Sequence, residues 1–352
     1  LTGIVDKLAK VPYLEEIIIG LDAADREQFE RARDFFSKLP QRHSILWNDG
    51  PRLLEIDRRL TTENLSPLER GKGRNVWYCL GYFLASARSK VVALHDCDIL
   101  TYERDMPARL FYPLVHPDMD YVFCKGYYYR AAQGRLNGRV FRLLVTPLIQ
   151  ALQKTTGNNE YLSYMGSFRY ALSGEFSMRS EVVTSLRIPS DWGLEIGTLS
   201  EVYRNYSPHR ICQVDIADVY DHKHQDLSPE DSKRGLNRMS IDICKALIRK
   251  LAVSGVVFSQ ETFRTLKACY YRTALDLVDH YYSDAVLSGL TLDRHQEEKT
   301  VELFAQNLIS AGEDFMANPQ QTPFMPSWSR VVSAVPDIYS QLRDAVESDR
   351  EE

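Results

Sequence analysis

An α/β fold with a mostly parallel sheet, followed by an all-helical extension, is the fold class that this sequence predicts. In the first half of the chain, short apolar runs rich in β-branched residues alternate with amphipathic helical patterns. Such alternation is typical of a doubly wound, largely parallel sheet. From residue 228 onward the pattern is almost entirely helical. We therefore predict a first domain at residues 1–227 and a helical extension at residues 228–352, which serves packing or dimerisation.

Hydrophobic periodicity predicts the individual elements. The predicted strands are residues 16–21, 44–47, 90–94 and 121–124, with a further extended segment at residues 211–214. The predicted helices of the first domain are residues 25–39, 75–87, 140–153 and 193–203. Pro147 should kink or break the third of these helices. The extension should contain helices at residues 228–255, 259–288, 293–317 and 329–347.

Composition and charge argue against several classes of function. The 352 residues include 43 basic and 48 acidic side chains, a net charge of −5, so nothing indicates a nucleic acid or an anionic membrane surface as a partner. No stretch approaches the roughly 18 apolar residues of a membrane span. Six cysteines are scattered without a C-x-x-C pair, which is typical of thiols in a reducing cytoplasm. We therefore expect a cytoplasmic protein without nucleic-acid or membrane partners.

The run from Val91 to Asp98 carries the strongest functional signal. A strand rich in β-branched residues ends in Asp96 and Asp98, which are one residue apart. Side chains at i and i+2 of an extended chain point to the same side, and open α/β sheets bind ligands at the carboxyl ends of their strands. Such a pair also occurs by chance in turns and helix caps. Its position after a strand favours a Mg²⁺-type site completed by water and substrate phosphate.

A second group of possible ligands follows the extended segment at residues 211–214. His222 and His224 are spaced i, i+2 and could share a face, and imidazole suits many divalent metals. On their own they are more simply two histidines of a polar loop. With Asp96 and Asp98 elsewhere in the chain, a third metal ligand from this loop is a reasonable hypothesis, and the other histidine could meet substrate phosphate.

Three further segments could contact an anionic or sugar ligand. Lys72 lies between two glycines before a predicted helix, where the helix N-terminus favours an anion, although a flexible basic loop is equally consistent. Glu195 follows Trp192 in the first turn of a predicted helix and could hold a sugar, or simply complement the helix dipole. Arg139 heads its helix and could bind an acidic acceptor or lie at the surface.

Taken in order, these motifs resemble those of GT-A glycosyltransferases, specifically glucosyl-3-phosphoglycerate synthase and its close relatives. The resemblance covers roughly residues 15–230, and the helical extension matches more loosely. The matching segments are Gly71-Lys72-Gly73, Asp96-Cys97-Asp98, Lys125 with Tyr127 to Arg130, Gly138-Arg139-Val140 with Pro147-Leu148, Leu172-Ser173-Gly174-Glu175, Trp192-Gly193-Leu194-Glu195-Ile196-Gly197, Gln213-Val214 and His222.

The resemblance implies a Rossmann-like GT-A fold and a retaining hexosyltransferase that depends on Mg²⁺ or Mn²⁺. The enzyme would move glucose from a nucleotide diphosphate glucose to the 2-hydroxyl of 3-phosphoglycerate, and the product would be a precursor of the compatible solute glucosylglycerate. A homodimer is expected. The implied roles are Asp96, Asp98 and His222 for the metal; Lys72, Asp96, Asp98, Ser173, Gly174 and Trp192 for the donor; Glu195 and the backbone carbonyl of Leu172 for catalysis; and Arg139 and His224 for the acceptor.

Several alternatives remain open at this point. Phe141 and Tyr220 replace residues that in relatives help to hold the acceptor, so free glycerate is an alternative acceptor, and mannose is an alternative sugar. A metal-dependent phosphohydrolase could use the two aspartates and the two loop histidines, but it would leave Lys72 and Glu195 without a role. A non-catalytic nucleotide-sugar-binding protein is a third class. The family's first strand, which helps to hold the nucleotide base, is not found in this sequence, and its absence favours that class.

Overall fold

The computed structural model describes residues 1–67, 70–221, 235–319 and 324–351. Its strands are β1 (Ile17–Leu21), β2 (His43–Trp47), β3 (Val91–Leu94), β4 (Phe123–Tyr128), β5 (Ala131–Ala132), β6 (Arg135–Leu136), β7 (Phe176–Arg179) and β8 (Ile211–Ala217). Its α-helices are α1 (Thr2–Leu8), α2 (Arg26–Phe36), α3 (Pro51–Thr62), α4 (Lys72–Ser86), α5 (Asp105–Val115), α6 (Thr146–Thr156), α7 (Glu160–Gly166), α8 (Ser180–Ser185), α9 (Leu194–Asn205), α10 (Gly235–Val253), α11 (Gln260–Leu287), α12 (Arg294–Ala317), α13 (Trp328–Ala334) and α14 (Ile338–Glu351).

Two sheets carry the longer strands. β1 and β2 pair in parallel, with Ile17 opposite His43. The second sheet has the strand order β3-β7-β4-β8, in which β4 and β8 run parallel whereas β7 runs antiparallel to both of its neighbours. The α/β class with parallel strand pairs and a helical C-terminal region is confirmed. β7 was not predicted, because Phe176–Arg179 contains no β-branched residue, whereas β3, which is equally short, begins with two valines.

Two prolines mark changes within the predicted helices. At Pro147, which lies in the first turn of α6, the helical segment does not end: the π-helical turn Val140–Val145 changes to α-helix at Thr146. The single helix predicted over residues 329–347 is wrong, because α13 ends at Ala334 and α14 begins only at Ile338. Pro336 lies between them, and proline cannot continue a helix interior. Among the helices described, none combines the length and the apolar character that a bilayer span requires.

The helical extension packs on the first domain through a shared hydrophobic core. The rings of Trp77 on α4 and Trp328 on α13 stack with centroids 4.2 Å apart. Farther along, the Tyr270 hydroxyl on α11 donates a hydrogen bond of 2.6 Å to the carbonyl of Leu143. Buried residues from both regions belong to one contiguous cluster. The described parts of the predicted domains therefore share an interior, and residues of the extension can reach a site on the first domain.

A cleft of about 2130 Å³ lies between β1 and β3, which belong to different sheets. Residues of both strands line it, together with residues of α1, of the first turn of α9 and of the first turn of α12. The cleft therefore meets the carboxyl end of β3 on one side and the helical extension on another. Ligands of open α/β sheets bind at such strand ends, so the cleft is the place to look for a functional site.

Candidate active site

Strand β3 delivers two aspartates to the cleft. It ends at Leu94, and both Asp96 and Asp98 line the cleft directly after it. Oδ1 of Asp98 is buried and has no hydrogen-bond partner among the described residues. Burial, and after it the charge of Asp96, raises the pKa of the Asp98 carboxyl. A buried carboxylate oxygen without a partner costs free energy until a cation or a donor reaches it, so this pair of aspartates is suited to binding a cation.

Lys72 connects the end of β3 to the first turn of α9. It is the first residue of α4, and its Nζ lies 2.7 Å from Oδ1 of Asp96 and 3.1 Å from Oε1 of Glu195. Burial opposes the ammonium charge, but Glu195 and Asp96 together raise the pKa of Lys72 above its ordinary value. The structure thus brings together three residues that the sequence places far apart, and it surrounds one cation with two carboxylates.

Close packing of backbone fixes the approach of α4 to α9. At Gly73, a side chain would clash with the backbone of residues 189–190, so glycine is what allows the N-terminus of α4 to reach this segment. Trp192 follows in the same segment and lines the cleft. Glu195 lies in the first turn of α9, as predicted. Gly73 therefore serves packing, whereas Gly71 faces open space and adopts a φ of +140° that favours glycine.

The segment before β7 lies against Asp96. Leu172 and Gly174 line the cleft, and a Cβ on Gly174 would overlap the carboxylate of Asp96. Ser173 behaves differently from its prediction as a donor-binding residue, because its side chain is fully buried. The Ser173 hydroxyl donates a 3.1 Å hydrogen bond to the carbonyl of Glu175. The structure thus places the backbone of this turn at the cleft and turns the serine side chain inward.

Lys125 had no role assigned from the sequence, yet it holds this turn in place. Its Nζ donates a 2.5 Å hydrogen bond to the carbonyl of Ser173 and lies 5.1 Å from the centroid of the Phe176 ring. The residue is 1% exposed. Burial lowers the pKa of Lys125 to about 8, against the charges of Glu195 and Glu175. Lys125 lies within β4, although the predicted strand ended one residue before it. The available signal was a lysine that continues a run of apolar residues, because lysine is almost never fully buried without a partner.

A buried carboxyl and a stack of aromatic rings lie behind the turn. Glu175 is fully buried, its Oε1 accepts a 2.8 Å hydrogen bond from Tyr220, and burial raises the pKa of its carboxyl. The Tyr220 ring stacks on Tyr128 with centroids 3.4 Å apart. The Arg130 guanidinium lies 5.7 Å from the centroid of the Tyr220 ring, and Arg130 lines the cleft. Tyr220 therefore serves the interior, whereas Arg130 brings a positive charge to this part of the cleft.

Arg139 is paired with the helical extension. Its Nε lies 3.1 Å from Oε1 of Glu297 on α12, and Nη1 of Arg142 lies 2.7 Å from Oε2 of the same carboxylate. The Glu297 side chain is 3% exposed, whereas that of Arg139 is 38% exposed. Arg139 directly precedes the π-helical turn, so its predicted position at the head of a helix is confirmed. Glu297 is separated from Arg139 by 158 residues, and no motif around it signals this contact.

The residues present fit a divalent cation. Carboxylate oxygens are ligands that Mg²⁺ and Mn²⁺ prefer, with water and substrate phosphate completing the coordination. Oδ1 of Asp98 offers such a ligand atom. Within the part of the chain that the structure describes, no cluster of three or more His, Cys, Asp or Glu side chains is arranged to hold a metal ion without further ligands. The described residues therefore supply the two aspartates, and the further predicted residues of the loop, His222 and His224, lie outside the described ranges.

Solved structures show which fold this is. The fold resembles mannosyl-3-phosphoglycerate synthase from Rubrobacter xylanophilus with a TM-score of 0.53 and 20% identity, covering 74% of this chain and 72% of that one. A complex of glucosyl-3-phosphoglycerate synthase from Mycobacterium tuberculosis with Mn²⁺, UDP and glucosyl-3-phosphoglycerate gives a TM-score of 0.50 and 20% identity, covering 74% and 76%. The fold is that of the GT-A glycosyltransferases.

Sequence relatives define the family within this class. Glucosyl-3-phosphoglycerate synthase from Persephonella marina is 44% identical over 98% of this chain and 85% of the relative. The enzyme of the same name from Methanococcoides burtonii is 39% identical over 100% of this chain and 87% of the relative. No family model matches the sequence. The chain belongs to the glucosyl-3-phosphoglycerate synthase family.

Proposed function

We propose that this protein is a retaining glucosyltransferase that moves glucose from a nucleotide diphosphate glucose to the 2-hydroxyl of 3-phosphoglycerate, giving glucosyl-3-phosphoglycerate. Family membership supports the reaction, since relatives at 44% and 39% identity bear the corresponding name. The structural observation that carries the proposal is the contact of Lys72 with both Asp96 and Glu195 beside β3. One cleft thereby combines a cation for a diphosphate, carboxylates for a metal ion, and a carboxylate for sugar hydroxyls.

The donor's diphosphate would lie between Lys72 and the aspartates. Asp96 and Asp98 would hold the Mg²⁺ or Mn²⁺ ion, which when bound supplies neutralising charge for the diphosphate leaving group. Lys72 stays protonated at neutral pH because its neighbouring carboxylates raise its pKa. The lysine can therefore donate hydrogen bonds to oxygens whose negative charge grows as the bond to glucose breaks, which is where electrostatic stabilisation is most effective.

The hexose would lie beside the first turn of α9. The Glu195 side chain is 12% exposed and can accept hydrogen bonds from sugar hydroxyls, while Trp192 offers a flat apolar surface. The backbone carbonyl of Leu172, which lines the cleft, would lie near the reacting carbon. A front-face retaining route needs no nucleophile from the protein, because the acceptor hydroxyl can lose its proton to the departing phosphate. We therefore assign no catalytic base.

Transfer to free glycerate is the second candidate, and two contacts favour it. Tyr220 is buried and engaged with Glu175, so position 220 presents no cation to an acceptor phosphate. Phe141 packs edge-on against Tyr170 with ring centroids 5.0 Å apart, so it adds apolar surface near Arg139. Against this candidate, Arg130 and Arg139 both line the cleft, and two cations suit an acceptor that carries both a carboxylate and a phosphate.

A matrix of donors and acceptors tests the function. UDP-, GDP- and ADP-glucose and GDP-mannose would each be incubated with 3-phosphoglycerate or glycerate in the presence of Mg²⁺ or Mn²⁺, and products identified by mass spectrometry. We expect a glucosylated 3-phosphoglycerate with at least one glucose donor. Release of phosphate from phosphoesters without any acceptor would instead indicate a phosphohydrolase, and donor binding without turnover would indicate a nucleotide-sugar-binding protein.

We also propose that the protein is a cytoplasmic homodimer. The C-terminal end of α11 exposes Tyr282, Val286 and Leu287 at 42%, 60% and 85%, an apolar surface that a second copy could cover. The six cysteines are free thiols, which suits a reducing compartment. Light scattering checks the dimer: a mass of two chains supports it, and a mass of one chain across the micromolar range contradicts it.

A further inference from the structure

We propose that Glu297, which the helical extension contributes, is a positioning residue that orients Arg139 for the acceptor. This inference rests on the proposed function, in which Arg139 binds the acidic groups of the acceptor. Glu297 lies at the start of α12, a helix outside the region of clear motif resemblance. Its carboxylate joins two arginines of the first domain, so the extension would complete the acceptor-binding side of the cleft.

The two arginines that pair with Glu297 differ in burial: Arg142 is enclosed by the protein, whereas Arg139 is accessible to a ligand in the cleft. Arg142 is almost fully buried, with Nη1 on Glu297 and Nε donating a 2.8 Å hydrogen bond to the carbonyl of Asn137. Its guanidinium also lies 4.9 Å from the centroid of the Tyr281 ring. Arg139 is 38% exposed, lines the cleft and meets Glu297 through Nε. Contact through Nε fixes the plane of the guanidinium and leaves its two Nη groups for an anion in the cleft.

Backbone contacts hold the extension in register with the acceptor side. The loop before α12 pairs with the β5–β6 hairpin, where the amide of Thr291 donates a 2.8 Å hydrogen bond to the carbonyl of Gly134. On the other side of the hairpin, the amide of Asn137 donates a 2.7 Å hydrogen bond to the carbonyl of Arg130. Glu297 is therefore anchored to the same segment that carries Arg130 and Arg139, both of which line the cleft.

Charge balance explains why a carboxylate is needed at this position. Without Glu297, two guanidinium groups would face each other, one of them buried at 6% exposure, and an unpaired buried cation is strongly unfavourable. Arg139 would then turn away from Arg142 toward solvent. With Glu297 present, the group of three keeps one net positive charge at the cleft. The carboxylate therefore orients Arg139 while leaving the acceptor side attractive to anions.

A double-mutant cycle in the whole 352-residue chain tests the proposal. The variants are Arg139→Ala, Glu297→Gln and the double variant, each assayed for kcat, for the KM of the donor and for the KM of the acceptor. We expect Glu297→Gln to raise the acceptor KM about tenfold while kcat and the donor KM change less than about twofold. In the double variant the effect should be no larger than that of Arg139→Ala alone, because Glu297 acts through Arg139.

Two further variants keep the test decisive. Glu297→Asp preserves the charge but is one methylene too short to reach both arginines, so it should fold and raise the acceptor KM to a smaller extent. Asp349→Asn is the matched control, since Asp349 is 2% exposed on α14 and pairs with Arg52 of the first domain. It should lower the thermal midpoint without changing the acceptor KM.

Three results would overturn the proposal: an unchanged acceptor KM in both Glu297 variants, additive effects in the double variant, or an increase confined to the donor KM. Wild-type turnover with 3-phosphoglycerate or glycerate separates this inference from the proposed function. If the wild type transfers no sugar to either acceptor, the function is wrong. If it does and Glu297→Gln behaves as wild type, only the positioning role is wrong.

Discussion

The donor-binding and acceptor-binding sides of the proposed site are built in different ways. On the donor side, Lys72, Asp96 and Glu195 all belong to the first domain, and each lies at the beginning or the end of a helix or strand. On the acceptor side, Arg139 is held by Glu297, which comes from the helical extension 158 residues later. The first side is assembled by local elements of one domain, whereas the second depends on how two regions pack.

This difference shows which parts of a site a sequence can reveal. An aspartate pair after a strand carries its geometry with it, because strand direction and side-chain alternation fix where the carboxylates point. An arginine at the head of a helix carries no such information, since its partner is set by tertiary packing. Variants of the donor side should therefore have large effects on chemistry, and variants of the acceptor side smaller effects on acceptor affinity.

The largest effect is expected at Asp98. Replacing it with asparagine keeps the shape but removes the charge that would hold the metal ion, so kcat should fall by at least about 10³-fold. The fold should survive without loss of stability, because burial already disfavours the charged carboxyl and raises its pKa. Turnover, UDP binding with and without Mn²⁺, and the thermal midpoint would be measured for Asp98→Asn.

The exposed Asp118, with a side chain 89% accessible, provides the control for this substitution. Asp118→Asn should leave turnover, UDP binding and the thermal midpoint unchanged. Metal-dependent UDP binding at the wild-type level in Asp98→Asn would show that the metal lies elsewhere. The assignment of Asp98 as a metal ligand on the donor side would then be wrong.

The next effect concerns stability and arises from Lys125 beneath the donor side. Burial lowers its pKa to about 8 from an ordinary 10.5. Between these values the unfolded chain binds more protons than the folded one, so the free energy of unfolding gains from this residue as pH rises from 8 to 10.5. The total gain should be about 3 kcal/mol, and below pH 8 the destabilisation by the buried charge is fully present.

Comparison with Lys125→Met isolates this contribution, because other lysines and tyrosines titrate equally in both proteins. Urea unfolding at pH 7, 8, 9 and 10 would give the difference in stability between wild type and variant. The difference should move in favour of the wild type with increasing pH. Parallel curves would show that Lys125 stays protonated in the folded protein and that its contact with the Ser173 carbonyl is an ordinary ammonium hydrogen bond.

Sequence patterns predicted the order of helices and strands well where the hydrophobic pattern was clear. The strands before Asp96 and the helix that begins beside Glu195 lie where alternation and helical periodicity place them. The short strand β7 and the break at Pro336 differ from the prediction. β7 lacks the β-branched residues that marked β3. The single helix was predicted from the apolar spacing on both sides of Pro336, although proline cannot continue a helix interior.

The site was predictable to the extent that its residues lie in local motifs. Lys72, Asp96 and Glu195 were identified from strand ends and glycine-containing turns, and the structure brings them together. Lys125 and Glu297 were not, because their roles come from burial under a turn and from an ion pair across the two regions. Ser173 shows the converse, since its motif indicated a ligand contact whereas its hydroxyl holds the turn.

The smallest effect, and the most discriminating one, is expected at Gly174. An alanine there would place its Cβ against the carboxylate of Asp96, and this side chain can rotate away, so the fold should change little. The displaced carboxylate would then leave its position beside Lys72. We expect the donor KM to rise or kcat to fall about tenfold, with an unchanged acceptor KM.

Gly166→Ala is the matched control, because its Cβ would make an ordinary contact of 3.6 Å with Ile149. Equal activities of the two alanine variants would mean that the position of Asp96 does not limit the reaction. The contrast between a donor side assembled by local elements and an acceptor side that depends on packing would then fail.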